Sequence, residues 1–255
     1  MRINFIIALL GLLLTLASCG QAPEHKVPAG TNIVAVIGAI HAQHQRSERY
    51  SLDILSEAIR KFEPDIVLVE LPPDRFEIAS ANYETFGEVR ESRADDFPEL
   101  TGVVFPLRKE LGFTMVPVAA WSKQLADDRR STLKKIEEDP RRAKDCAEYQ
   151  AAIADYNRMV SGRSDDPDFI HSAEYDEAVA SRQETYQRLF GSDLGQGGWD
   201  KVNEAHLALM SQVLDDYKGQ GKRVLILFGA WHKYKILDRM ETRSDISLVD
   251  ASTLF

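Results

Sequence analysis

Two short apolar runs, far apart in the chain, end in nearly the same residues. Thr31-Asn32-Ile33-Val34-Ala35-Val36-Ile37 leads into Gly38-Ala39-Ile40-His41, and Arg223-Val224-Leu225-Ile226-Leu227-Phe228 leads into Gly229-Ala230-Trp231-His232. Each run is rich in branched residues, too short for a helix and closed by glycine, which is the pattern of a strand buried on both faces of a parallel sheet. Strands of a parallel sheet end on one rim, and open α/β folds bind their ligands there. The repeated ending therefore predicts an α/β chain with a central, mostly parallel sheet flanked by helices and two imidazoles delivered to one rim.

The intervening sequence supplies the remaining elements. Apolar positions Leu52, Leu55, Ile59 and Phe62 recur at helical spacing after Ser47-Glu48-Arg49-Tyr50, and Pro64-Asp65 stops that helix. Asp65-Ile66-Val67-Leu68-Val69-Glu70-Leu71 reads as a second strand, parallel to the first through the crossover helix. Pro72 to Leu111 is mostly helical and polar, and Gly112 to Ala119 reads as a third strand. A long helical insertion over about 120–200 separates the third strand from the fourth at Arg223–Gly229, interrupted near Ser161-Gly162 and by Gly195-Gln196-Gly197-Gly198. A further helix spans Trp199 to Tyr217, and Asp245 to Val249 forms a last, edge strand. The expected organisation is one α/β domain over 31–255, preceded by segments 1–18 and 19–30.

Those first segments read as an address. Phe5 to Leu16 is an apolar run of signal-peptide length, short for a membrane span, and the Leu16-Ala17-Ser18-Cys19 that follows resembles a bacterial lipobox. That resemblance implies cleavage before Cys19, lipid attachment to its thiol, and a polar tether through Lys26. Gly20 after the cysteine implies sorting to the outer membrane, facing the periplasm, in a bacterial cell envelope. Cys146 is then the one cysteine left, so no internal disulfide forms. A net charge of -9 with no basic cluster excludes the electrostatic footprint of a nucleic-acid binder, so membrane contact comes from the lipid.

Three strand ends thus carry His41, Glu70 and His232. Two imidazoles and a carboxylate form a common facial set for a divalent ion with positions left for water and substrate, and such an ion activates water for hydrolysis. Without an ion, the same groups serve as general base and acid on an ester or amide. Arg75 offers Glu70 a plain salt-bridge partner across Pro72-Pro73, since an unpaired buried carboxylate is costly. His44 stands three residues after His41 and within reach of the same rim; His171 and His25 lie in polar segments without evident partners.

The sequence Gly38-Ala39-Ile40-His41, the Val69-Glu70-Leu71 with Arg75 five residues beyond its glutamate, and Phe228-Gly229-Ala230-Trp231-His232 together resemble the TraB/PrgY/GumN/Tiki superfamily. Erythromycin esterase and the haem-binding lipoprotein ChaN are related to it. The resemblance covers roughly 33–75 and 199–237. It implies a metal-assisted hydrolase, acting on peptide or ester bonds, with His41, Glu70, His232 and Arg75 as the active core and manganese, cobalt or zinc as the ion. The arginine that the superfamily carries on the helix before its last motif is Asn203 here, in Asn203-Glu204-Ala205-His206, and His206 is a further candidate ligand. Two other functions use the same features. One is a non-enzymatic haem- or metal-binding lipoprotein with Trp121, Trp231 and Tyr234 as an apolar wall; the other is a catalytically degenerate scaffold.

Overall fold

The computed structural model describes residues 28–92 and 94–255. The proposed signal peptide, Cys19, His25 and most of the tether lie outside these residues. Five strands form one all-parallel sheet: β1 (Asn32–Ala39), β2 (Ile66–Val69), β3 (Thr114–Pro117), β4 (Arg223–Gly229) and β5 (Ile246–Val249), in the order β3-β2-β4-β1-β5. The last strand of the core pair, β4, is inserted between β1 and β2, so the first crossover leaves a gap that a distant segment fills. This fold is the α/β architecture expected from the two apolar runs, and β5 is the edge strand beside β1.

The alternation of side chains divides the core into two layers. Ala35, Ile37, Val67, Val69, Leu225 and Leu227 face one side, against Leu55, Ile59 and Phe62 of α1 (Leu52–Phe62). Val34, Val36, Ile66, Leu68, Val224, Ile226 and Phe228 face the other, against α8 (Trp199–Asp216) and α9 (Lys233–Glu241). Helix α1 starts later than its polar leader suggested. Ser51 caps it by accepting the Ile54 N–H, while the Ser47 hydroxyl accepts the Tyr50 N–H before the helix begins.

Between β2 and β3 lie α2 (Pro73–Phe86) and α3 (Phe105–Leu111), the latter entered through a π-helical turn at Leu100–Val104. Between β3 and β4 come α4 (Lys123–Glu138), α5 (Ala143–Val160), α6 (Pro167–Ile170) and α7 (Ala173–Leu194), ahead of α8. The α5 and α7 helices pack along one another, and Tyr175, Val179, Tyr186 and Phe190 of α7 join the core layer that contains α1. Among the described residues no helix is long and apolar enough to cross a membrane.

The central position of β4 has a measurable consequence. Leu225 is fully buried on a strand paired on both sides, whereas Leu248 lies half-buried on the edge strand. Leu225→Ala is expected to destabilise the protein by about 2–5 kcal/mol in urea unfolding, and Leu248→Ala by less than half as much. Equal losses would contradict the observed strand order.

Candidate functional site

The exit of β1 is clamped before it reaches His41. His171 Nε2 accepts the Gly38 N–H (3.1 Å), the Tyr50 hydroxyl donates to the Gly38 carbonyl (2.9 Å), and His44 Nε2 accepts the Ile40 N–H (3.0 Å). Each of these imidazoles in turn donates from Nδ1 to a carbonyl, His44 to Tyr50 (2.8 Å) and His171 to Pro167 (2.7 Å). His44 is therefore occupied in holding the backbone and does not join His41 at the rim. His171 supplies a clamp from α6, a partnership that its polar surroundings in the sequence did not announce. Burial lowers the pKa of His44, and lowers that of His171 to about 4, so both rings stay neutral acceptors.

His41 follows in a left-handed conformation (φ 50), which is uncommon for a residue with a side chain and tends to persist at sites where the surrounding structure enforces it. Its Nδ1 donates to Glu99 Oε1 at 2.7 Å, and its Nε2 faces Glu70 Oε2 at 3.9 Å. Glu99 is buried ahead of the π-helical turn, and its second oxygen has no hydrogen-bond partner among the described residues. The Phe97 ring stands nearly perpendicular to the imidazole, 4.9 Å between ring centres. The side chain of His41 is 37% exposed, the most open member of the group.

Glu70 leaves β2 at the level of Phe228, one residue short of Gly229 in the register of β4. Its Oε2 accepts the Gly229 N–H at 2.6 Å, so the buried carboxylate is tied to the neighbouring strand end. Its Oε1 lies 4.0 Å from His232 Nε2. A Cβ on Gly229 would stand 2.7 Å from His41 Nε2 and 3.0 Å from Glu70 Oε2, which explains why this strand end carries no side chain. Gly38 is bare for a different reason, because a Cβ there would meet Ala230 at 3.1 Å.

His232 is buried against Trp199, whose ring stacks on it at 4.6 Å. Its Nδ1 donates to Asn203 Oδ1 (2.8 Å), and the Asn203 amide donates to the Trp199 carbonyl (2.8 Å), which fixes both amide and tautomer. Burial, with smaller contributions from His206, His41 and Arg129, holds the His232 pKa well below the ordinary histidine value. Both imidazoles thus donate from Nδ1 to a buried side chain and turn Nε2 toward the Glu70 carboxylate.

The remaining candidates are placed differently. His206 accepts the Ala120 N–H at Nδ1 (2.8 Å), which puts its proton on Nε2, and that buried N–H has no partner among the described residues. Burial brings its pKa to about 4, so it presents a proton rather than a lone pair toward its surroundings. Arg75 pairs with Asp74 and Glu91, each at 3.4 Å, and not with Glu70, because the Pro72-Pro73 turn starts α2 and carries the arginine away from the strand end. Asn203, standing where the superfamily resemblance led us to expect arginine, orients His232. Glu99 was not anticipated; its only signal was an acid placed directly before the apolar stretch Leu100 to Leu107.

A cleft of about 840 Å³ adjoins the group without including it, lined by Pro72, Arg75, Glu91, Trp121 and Arg129 among others. Trp121 reaches toward the site through His206 (6.2 Å between ring centres), which in turn lies 5.3 Å from His232. The other expected wall aromatics are engaged elsewhere. Trp231 donates to the Tyr156 hydroxyl beneath Arg182, and Tyr234 accepts from the Trp199 indole. No family model matches this chain, and neither a curated protein nor a solved structure matches it.

Two outcomes follow from this geometry. Above pH 6.5 the clamp histidines are neutral in folded and unfolded chains alike, but between 6.5 and about 4 the unfolded chain protonates His171 while the fold keeps it neutral, and the lowered His44 pKa acts in the same direction. Stability is therefore expected to fall as pH drops through that window. His171→Gln, which keeps an acceptor for the Gly38 N–H, should reduce the loss by about 2 kcal/mol in urea titrations at pH 7 and pH 4.5. Gly229→Ala keeps an ordinary φ but puts a Cβ against the His41 ring and the buried Glu70 carboxylate, so it is expected to displace both and abolish any His41-dependent activity while circular dichroism still reports a folded protein.

Proposed function

We propose that the protein is a lipid-anchored hydrolase of the bacterial cell envelope, cleaving ester or peptide bonds with the help of a divalent ion. The observation that carries this reading is the convergence of two tautomer-locked imidazoles on one buried carboxylate at the rim of the sheet. The donor chemistry, two nitrogens and an oxygen, fits manganese, cobalt or zinc. Among the described residues no three such side chains stand in the closed arrangement of a bound ion. Donors about 2.1 Å from a tetrahedral ion stand about 3.4 Å apart; here the two imidazole-to-carboxylate separations are 3.9 and 4.0 Å. The two separations fall on different oxygens of Glu70, so a shared ion requires His41, the most exposed of the three, to turn toward the oxygen that faces His232.

In this reading His41, His232 and the Glu70 carboxylate would hold the ion. A divalent ion held there would supply Lewis-acid polarisation of a carbonyl and a lowered pKa for water. Glu99 and Asn203 orient the imidazoles from behind, and the Glu99 carboxylate strengthens the His41 donor. Gly229 gives its N–H to Glu70 and leaves the space in which His41 stands. Trp199 and the buried face of α8 keep water from the His232 side, so substrate approaches past His41 from the adjoining cleft. The apolar leader, the lipobox-like Cys19 and Gly20 support attachment to the outer membrane, facing the periplasm.

Purified full-length protein is expected to take up about one equivalent of manganese, cobalt or zinc and to hydrolyse members of a panel of chromogenic esters or quenched fluorescent peptides. His41→Ala and His232→Ala should each lose the ion and at least about a hundredfold in rate while remaining folded. Glu99→Gln keeps an acceptor for Nδ1–H without its charge, and should weaken ion binding by about 10–100-fold. Absence of ion uptake, with hydrolysis unchanged in both histidine variants, would overturn the proposal.

A further inference from the structure

Among the described residues the cleft is lined by four cations and four acids: Arg75, Lys123, Arg129 and Arg130 against Asp74, Glu91, Asp96 and Asp127. Three of the cations are satisfied within the protein. Arg75 pairs with Asp74 and Glu91, and Lys123 and Arg130 share Asp127. Arg129 alone among them has no carboxylate partner among the described residues.

Its guanidinium is nevertheless held in place. Nε donates to the Tyr186 hydroxyl (3.1 Å), and the group lies 5.4 Å from the Tyr186 ring centre and 5.5 Å from that of Trp121. The stem is fixed as well, because Gly197 leaves room for it: a Cβ there would stand 3.3 Å from Arg129 Cβ. That contact gives the Gly195-Gln196-Gly197-Gly198 break between α7 and α8 a purpose. The N-terminal turn of α4, with Ser122 and Lys123 on the cleft and no acid among its first residues, adds positive potential beside it.

A half-buried, pre-oriented guanidinium without a counter-ion is a ready partner for an anion, and its planar fork matches a carboxylate. One guanidinium supplies a single positive charge, which matches a monoanion better than a phosphate dianion. We propose that the cleft binds a carboxylate-bearing ligand through Arg129, with an apolar or aromatic portion against Trp121. On the hydrolase reading this ligand is the substrate, so the enzyme acts on acidic peptides or esters; the binding itself does not depend on that reading.

The test is calorimetric titration of full-length protein in detergent with three probes of related shape: hippurate, N-benzoylglycinamide and phenyl phosphate. Hippurate is expected to bind about tenfold more tightly than the uncharged amide, the margin of a charge-assisted hydrogen bond. Arg129→Gln should bring the two within about twofold, and Arg130→Gln, the same charge change on a residue already paired, should preserve the preference. Equal binding of hippurate and amide by the wild type, tighter binding of phenyl phosphate, or loss of the preference in Arg130→Gln would overturn the proposal. So would an undiminished preference in a folded Arg129→Gln protein. The same titration with the His41→Ala/His232→Ala variant separates the two claims: a preserved preference supports the carboxylate site whether or not hydrolysis is ever found, and a lost preference overturns its independence from the histidines.

Discussion

The arrangement of the site depends on one hydrogen bond, from the Gly229 N–H to the buried Glu70 carboxylate. A carboxylate at the end of an apolar strand would be expensive to bury unpaired. Here it accepts the amide of Gly229 at the end of β4, two residues beyond the last that pairs with β2, and so ties β2 to β4 across the rim. Both histidines are then measured against the same two oxygens. Gly229 serves twice, once through its N–H and once through its missing side chain, and this is why the strand that fills the centre of the sheet ends in glycine.

The five described histidines divide into two uses. His44, His171 and His206 each accept a backbone N–H at the end of a strand, from Ile40, Gly38 and Ala120. His41 and His232 instead donate from Nδ1 to a buried side chain and turn Nε2 to Glu70. Burial keeps the first group neutral, as an acceptor must be. The neutral rings hold the chain; the other two are held by it. A clamp of this kind also accounts for the left-handed backbone at His41, since the residues before it are fixed on both sides.

The helices between β3 and β4 do more than cover the sheet. Helix α4 supplies Arg129 and the wall of the cleft, α7 supplies the tyrosine that orients it, and α8 supplies Asn203 behind His232. A long polar segment that reads as a solvated surface therefore carries the residues that shape what can approach the rim.

Much of this was legible in the residues themselves. The period and length of the apolar runs placed β1, β4 and β5 within a residue of their observed bounds, and the strand endings pointed to His41, Glu70 and His232, because strand periodicity and termination are local properties. The insertion of β4 between β1 and β2 was not legible, since strand order depends on which faces pack best over long separations. Nor was the His41 partner: Glu99 stands 58 residues away, and nothing local distinguishes it from other acids of its region. Arg75 was expected beside Glu70 from sequence proximity, but the helix that begins at Pro73 turns it into the cleft. The sequence by itself determined which groups each strand delivers to the rim. Only the tertiary structure decided how they are oriented, because tautomer and direction are set by partners that folding brings from distant parts of the chain.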